Sequence, residues 1–339
     1  MFGGDIAFGE CYVDKIIDTP DLTKLLGLFT INAKSINDRS MASSKISQFI
    51  NAIKHKLKAN TLRGSKENIS AHYDLGNKLY KNFLDPNLVY SSAAFDSKHK
   101  DLEQAQINKL KKMIKRARIK KGSKLLEIGS GWGALAILAS KKADVTTITL
   151  SNEQLDYVND KITELVLESK IKAKLCDYRN CDYSKEEGPF DSIISIEMLE
   201  AVGHENLETF FKKCHSLLKP KGKLAIQVIT FPDARYKEYR TSCDWIQKYI
   251  FPGGLCPSLG AINKASSKYF NIENSENLAK SYAETLRIWR ENFNNSWPEI
   301  LKHGYDEKFK RMWNYYLCYC EAGFEYDVLG TYQIEMTKI

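Results

Sequence analysis

The sequence predicts an α/β fold: a mostly parallel sheet with an antiparallel edge, preceded by a small helical domain. Three observations carry this. Apolar runs of strand length alternate with amphipathic runs of helix length between about residues 100 and 230. A glycine-rich loop joins the first of these strands to its helix. Two more strand-like runs, near 267–273 and 325–337, follow after the alternation has stopped.

The elements follow in order. Residues 1–62 read as a small, mostly helical lead-in, and "GSKENISAHYDLGN" as a polar joint with glycine at both ends. A basic helix, Leu102–Arg118, ends at "KKGS". "KLLEIGSGWG" reads as strand into glycine loop, "LAILASKK" as helix, "DVTTITLS" as strand and "NEQLDYVNDKITELVLES" as helix. "IKAKLCDYR" is strand and loop, and "FDSIISIE" is strand. "ENLETFFKKCHSLLKPKG" is a helix stopped by Pro220 and Gly222, and "KLAIQVIT" is the fifth strand. A segment rich in Tyr and Trp then intervenes, from about 231 to 320.

Of the 339 residues 43% are hydrophobic and 27% charged, an ordinary globular balance. No stretch approaches the roughly 18–20 apolar residues that span a bilayer. The start, "MFGGDIAFGECYVD", lacks the basic and apolar regions of a secretion signal. A cytoplasmic chain is expected, with its eight cysteines mostly reduced and no metal site, because no Cys/His cluster has zinc spacing. The net charge of +8 is uneven: Arg39 to Lys66 holds seven Lys/Arg and no acid. Ile46, Phe49, Ile50, Ile53 and Leu57 fall at helical spacing within it. This reads as a basic amphipathic helix suited to anionic lipid, or as a surface helix docked on the next domain. No nucleic-acid motif accompanies the charge.

"EIGSGWG" places Gly129, Gly131 and Gly133 between strand and helix, with Glu127 before them and Ser130 among them. A dinucleotide loop is the rival reading. It wants the third glycine three places after the second, whereas here the spacing is two. The acid also precedes the glycines, and the second strand ends in "TLSNEQ" with no ribose-binding acid. Acid-G-x-G-x-G is the usual first motif of class I methyltransferases, whose loop faces S-adenosylmethionine. "LLKPKGKLAI" before the fifth strand is a frequent companion.

The chain resembles the cyclopropane-fatty-acid synthase family of S-adenosylmethionine-dependent enzymes. The stretches that carry this are "HYDLGNKLYKNFLDPNLVYSSAAF", "LLEIGSGWGALA", "TLSNEQ", "DYR", "EMLEAVGHE", "YIFPGGLCPSL", "WRENF" and "RMWNYYLCYC", across residues 68–339. "FGECYVD" resembles the N-terminal domain of longer bacterial members, shortened here, and "EMLEAVGHE" is closer to plant-like members. The resemblance implies transfer of a methylene unit to the cis double bond of an unsaturated acyl chain in an anionic membrane phospholipid. It places the enzyme peripherally at the inner membrane face and leaves a homodimer open. Methyl- or methylene-branched chains are an alternative product, and small-molecule N-methylation an alternative activity. A membrane-binding protein that has kept the fold and lost activity is opposed by the intact glycine loop, Glu200 and Tyr282.

In this family a bound bicarbonate is implicated as the base that closes the ring. The resemblance gives its holders as Glu200, Tyr282 and the backbone N–H of Ile229. Gln227 stands where bacterial members have a histidine, Ser92 where many have cysteine, and Ala201 in place of a histidine. Cys320 matches a cysteine near the active site, or is a packed thiol. Glu197, one helical turn before Glu200, reads as an N-terminal helix acid. The cofactor contacts implied are Tyr90 and Ser91 from a lid, the glycine loop at the amino-acid end, Thr149, Ser151 and Gln154 near the ribose, and Asp177, Tyr178 and Arg179 flanking the adenine.

Overall fold

The computed structural model describes residues 4–32, 76–180 and 188–339. The segment Arg39–Lys66, the expected boundary at 62/63 and most of the polar joint lie outside the described residues.

Seven strands form one sheet in the order β3-β2-β1-β4-β5-β7-β6. They are β1 (Ser123–Ile128), β2 (Ala143–Thr149), β3 (Ile171–Leu175), β4 (Phe190–Ile196), β5 (Leu218–Thr230), β6 (Phe270–Asn277) and β7 (Gly330–Lys338). β1 to β5 pair in parallel, while β7 runs antiparallel to both β5 and β6. The predicted class holds, with the antiparallel strand one place in from the edge. Strand order reverses between β1 and β4, which opens a crevice beyond their carboxyl ends.

Helices cover both faces. Helix α4 (Leu102–Arg116), α5 (Ala134–Ser140) and α6 (Asn152–Glu164) follow α1 (Gly4–Val13), α2 (Leu22–Ile31) and α3 (Asn77–Lys81). The Asp101 side chain caps α4 by accepting from Gln104 N, and Ser151 caps α6 through Gln154 N. Met113, Ala117, Leu135, Ala136, Val158 and Ile162 pack on Leu125, Val145 and Ile194. On the other face lie α7 (Leu207–Leu217) and α10 (Leu259–Ser266), separated by α8 (Asp233–Tyr239) and α9 (Trp245–Tyr249). Phe210, Phe211, Cys214 and Ile262 pack there on Leu126, Ile193, Leu224 and Met336. Helix α7 ends at Leu217, earlier than expected, because Leu218 already pairs with Phe190 in the sheet.

The aromatic segment is cut in two by β6. The larger part forms α11 (Ala279–Asn295), α12 (Trp297–Leu301) and α13 (Glu307–Glu325), between β6 and β7. Helix α13 runs on to Glu325 because Phe324 is buried in a third core, and this delays the last strand to Gly330. That core holds Tyr80, Phe83, Trp245, Trp289, Trp313 and Tyr315. A fully buried aromatic of this kind adds on the order of 1.5–3 kcal/mol. Ile6, Leu22 and Leu26 of α1 and α2 belong to the same core. Thr23 Oγ1 donates to Glu321 Oε2, and Lys248 Nζ meets Glu10 at 2.6 Å. Six described cysteines carry free thiols, whereas Cys176 is disulfide-bonded. Among the described residues, no helix is long and apolar enough to cross a membrane.

Candidate active site

β1 stops at Ile128 because the chain turns through left-handed backbone at Gly129 (φ +97°), Gly131 (φ +49°) and Gly133 (φ +89°). A Cβ at Gly131 would meet nothing within 4 Å, so the loop faces open space. Ser130 braces the turn, its N–H on Ile148 O and its Oγ on Gly131 O. Glu127 is buried and accepts from Thr147 Oγ1 at 2.6 Å. Burial raises its pKa to about 8, against the pull of that bond and of the Lys109 charge.

At the end of β2 the three expected ribose residues form one buried group. Thr149 Oγ1 donates to Gln154 Oε1 at 2.8 Å and accepts from Ser151 N. Beyond β3, Arg179 grips Asp177 through Nε and Nη2, at 2.9 and 2.6 Å. Tyr178 packs edge-on against Phe210. Asp177 is thus ion-paired with Arg179 two residues on.

Residues 89–96 form an irregular strap between α4 and α11. Side chains satisfy most of its backbone. Gln106 Nε2 donates to Ser91 O, Asn108 Nδ2 to Ala94 O, and Gln227 Nε2 to Ser92 O. Ala93 N donates to Thr285 Oγ1, and Phe95 N to Ser281 Oγ. Tyr90 reaches Tyr316, hydroxyl to hydroxyl at 2.8 Å, and lies 5.3 Å from Trp289, ring to ring. Tilted ring contacts from Tyr90 through Tyr80 to Trp132 tie the strap to the glycine loop. Lys109 of α4 is fully buried, with Nζ 2.6 Å from Ser91 Oγ.

Two carboxylates stand after β4. Glu197 has φ +49°, a conformation that costs a side-chain-bearing residue on the order of 1–3 kcal/mol and that clusters at functional sites. Its Oε1 accepts from Ser92 N (2.9 Å) and Gln227 Nε2 (2.8 Å), and its Oε2 from Tyr282 Oη (2.7 Å). Glu200 lies on a 3-10 turn, Leu199–Ala201. Its Oε1 accepts from Ile229 N at 2.5 Å, and its backbone carbonyl from Leu255 N, just after "IFPGG". Its Oε2 is sealed from solvent and has no hydrogen-bond partner. Burial, then the charge of Glu197, raises the Glu200 pKa to about 8. Burial also raises that of Glu197, against its three donors and Lys109.

The structure therefore corrects two expectations. Glu197 is no helix-dipole acid: it precedes the 3-10 turn and is gripped by three donors. Tyr282 turns its hydroxyl to Glu197, not toward a ligand of Glu200. Gln227 is buried and fully engaged: its Oε1 accepts from Gln333 Nε2, and Gln333 Oε1 in turn accepts from Arg116 Nε. Cys320 packs against the aromatic core, and burial pushes its thiol pKa up, so it is no ready nucleophile. Sequence reasoning missed Lys109, Gln333, Trp289 and Tyr316.

The sequence pattern of the mycolic acid cyclopropane synthetase family matches residues 60–334. The chain belongs to that family. It is similar to a tuberculostearic acid methyltransferase of Mycobacterium tuberculosis, 36% identical over 97% of this chain and 78% of that one. The cyclopropane-fatty-acyl-phospholipid synthase of Escherichia coli is 36% identical over 79% of this chain and 66% of its own length. A crystal structure of the mycolic acid cyclopropane synthase CmaA1, complexed with S-adenosylhomocysteine (SAH) and CTAB, superposes with a TM-score of 0.73. It is 27% identical and covers 80% of this chain and 98% of that one. The family is one of S-adenosylmethionine-dependent methyltransferases, and the seven-stranded sheet is its fold.

Proposed function

We propose that this protein methylates the cis double bond of an unsaturated acyl chain in a membrane phospholipid, and that proton loss then closes a cyclopropane ring. The observation that carries this is the pair Glu197–Glu200, set at the carboxyl end of β4, with the glycine loop on one side and aromatic rings on the other. S-adenosylmethionine, when bound, supplies an electrophilic methyl group. Gly129, Ser130, Gly131 and Gly133 would hold its amino-acid end, since the loop opens on free space at Gly131. Thr149, Ser151 and Gln154 would meet the ribose, and Asp177, Tyr178 and Arg179 the adenine.

An alkene is a weak nucleophile, and its methylation leaves a cation on the acyl chain. The chain's own residues must shelter that cation. The faces of Tyr90, Trp289 and Tyr316 offer it aromatic charge density, and the surrounding third core excludes water. Glu200 Oε2, buried and without a donor, can take the proton that leaves the new methyl. Glu197, held by three donors, stays as the fixed counter-charge. The balance is one C–S bond broken, one C–C bond formed by the methyl, then a C–H bond given up for the ring bond. The acyl chain gains CH₂.

The residues do not fit bicarbonate as expected. Tyr282 and Gln227 are turned on Glu197, and the Ile229 N–H on Glu200. No step is therefore routed through it.

A second reading is favoured by the tuberculostearic acid methyltransferase relative and by Gln227, which cannot titrate. In it the cation loses its proton to form a methylene branch. A saturated methyl branch needs a hydride besides, which no amino-acid side chain supplies. Mass spectrometry of fatty acids from an expressing host tests both readings: monounsaturated chains should gain CH₂, and derivatisation distinguishes ring from branch. Unchanged chains would overturn the reading. The enzyme would work at the cytoplasmic face, held to anionic phospholipid by Arg39–Lys66, whose charge supports that placement.

A further inference from the structure

We propose that Lys109 is a positioning residue for cofactor binding: its ammonium donates to Ser91 Oγ and so aims the Ser91 hydroxyl hydrogen at the carboxylate of the cofactor's amino-acid end. This rests on the reading of the site as one for S-adenosylmethionine.

Three observations support it. Lys109 is fully buried, and its hydrogen bond is to Ser91 Oγ at 2.6 Å. A buried ammonium is costly, and α4 could have turned an apolar residue inward here, as it does at Leu110 and Met113. Ser91 is itself 5% exposed, and the bond from Lys109 fixes its oxygen as the acceptor. Its own hydrogen must then point elsewhere, and a donor ammonium behind a hydroxyl polarises it into a stronger donor. Finally, the strap that bears Ser91 is tied by ring contacts through Tyr90, Tyr80 and Trp132 to the glycine loop, which is open at Gly131. An anionic ligand group is what a polarised donor at this place would recognise.

The charged groups that face Lys109 are Asp85 in the loop after α3, Glu127 at the end of β1 and Glu197 after β4. They keep the ammonium charged against its burial. The Ser91 oxygen is the neutral partner among them, and it is the one that can pass the effect to a ligand.

The test is calorimetry with two ligands. SAH carries the carboxylate, and 5′-methylthioadenosine lacks the amino-acid end. Lys109→Met and Ser91→Ala should each weaken SAH by about 10- to 100-fold, the range of a hydrogen bond to a charged group, and leave 5′-methylthioadenosine unchanged. The double variant should lose no more than the weaker-binding single variant, because both act on one contact. Equal weakening of both ligands, or no weakening of SAH in Lys109→Met, would make Lys109 a core cation only. Should Lys109→Met fail to fold, Lys109→Arg carries the same comparison, since a planar fork displaces Ser91. Wild-type protein that fails to bind SAH overturns the cofactor reading itself. Wild-type binding with an indifferent Lys109 overturns only the present proposal.

Discussion

Tyr282 Oη donates to Glu197 Oε2 at 2.7 Å, across 85 residues of chain. That contact sets the surroundings of the two carboxylates apart. It completes a shell of donors around Glu197, which leaves Glu200 as the carboxylate with an open oxygen. Tyr282 is itself held in place by stacking on Phe324, with ring centroids 4.4 Å apart. A pair of acids whose surroundings differ in this way is the usual means of giving one carboxyl the proton and the other the charge.

Glu200→Gln keeps the shape of the side chain and removes the base. Turnover on unsaturated phospholipid should fall by a factor on the order of 10²–10⁴. SAH affinity should hardly change. Full turnover in this variant would return Glu200 to a structural strand-end role.

The pH profile follows from the same residue. The carboxyl of Glu200 sits at about 8 before substrate binds, and only its ionised form accepts a proton. Rate should therefore rise as pH rises toward 8, with the limb moved lower by any cation near the site. Removing the neighbouring charge with Glu197→Gln should move the limb to lower pH, because that charge raises the Glu200 pKa. A limb that stays put would show that the two acids are not coupled.

Gly131→Val should abolish SAH binding. The position has φ +49°, which a β-branched residue resists, and its side chain would enter the open space of the loop. Calorimetry with SAH and NADH checks this, and equally tight NADH binding by the unaltered protein would contradict the cofactor assignment.

Gln333→Leu removes the donor to Gln227 Oε1 inside the sheet, where both residues are fully buried. An acceptor left unsatisfied there should cost about 1–3 kcal/mol in chemical denaturation. No loss of stability would mean that Gln227 finds another donor.

Changing Lys54, Lys56 and Lys58 together to Glu should weaken sedimentation with anionic vesicles, and so should added salt, which screens exposed charge. Vesicle binding indifferent to both would assign the basic segment to contacts within the protein.

The sequence by itself determined the α/β sheet, the glycine loop and the place of Glu200 at a strand end. These are local signals: a strand period, a helix period and a turn chemistry, each confined to about ten neighbouring residues. The tertiary structure decided what surrounds the acids. Glu197 and Glu200 stand one helical turn apart in "EMLEAV", but the donors on Glu197 come from Ser92, Gln227 and Tyr282, on three other elements. Lys109 is the intermediate case. In "INKLKKMIKR" it looks like one more solvated lysine, yet it shares the spacing of the buried residues Leu102, Ala105, Gln106 and Met113. Periodicity could place it on the inner face. Only the approach of Ser91, Glu127 and Glu197 makes a charge tenable there, because the energy of a buried charge is set by the groups that other segments bring to it.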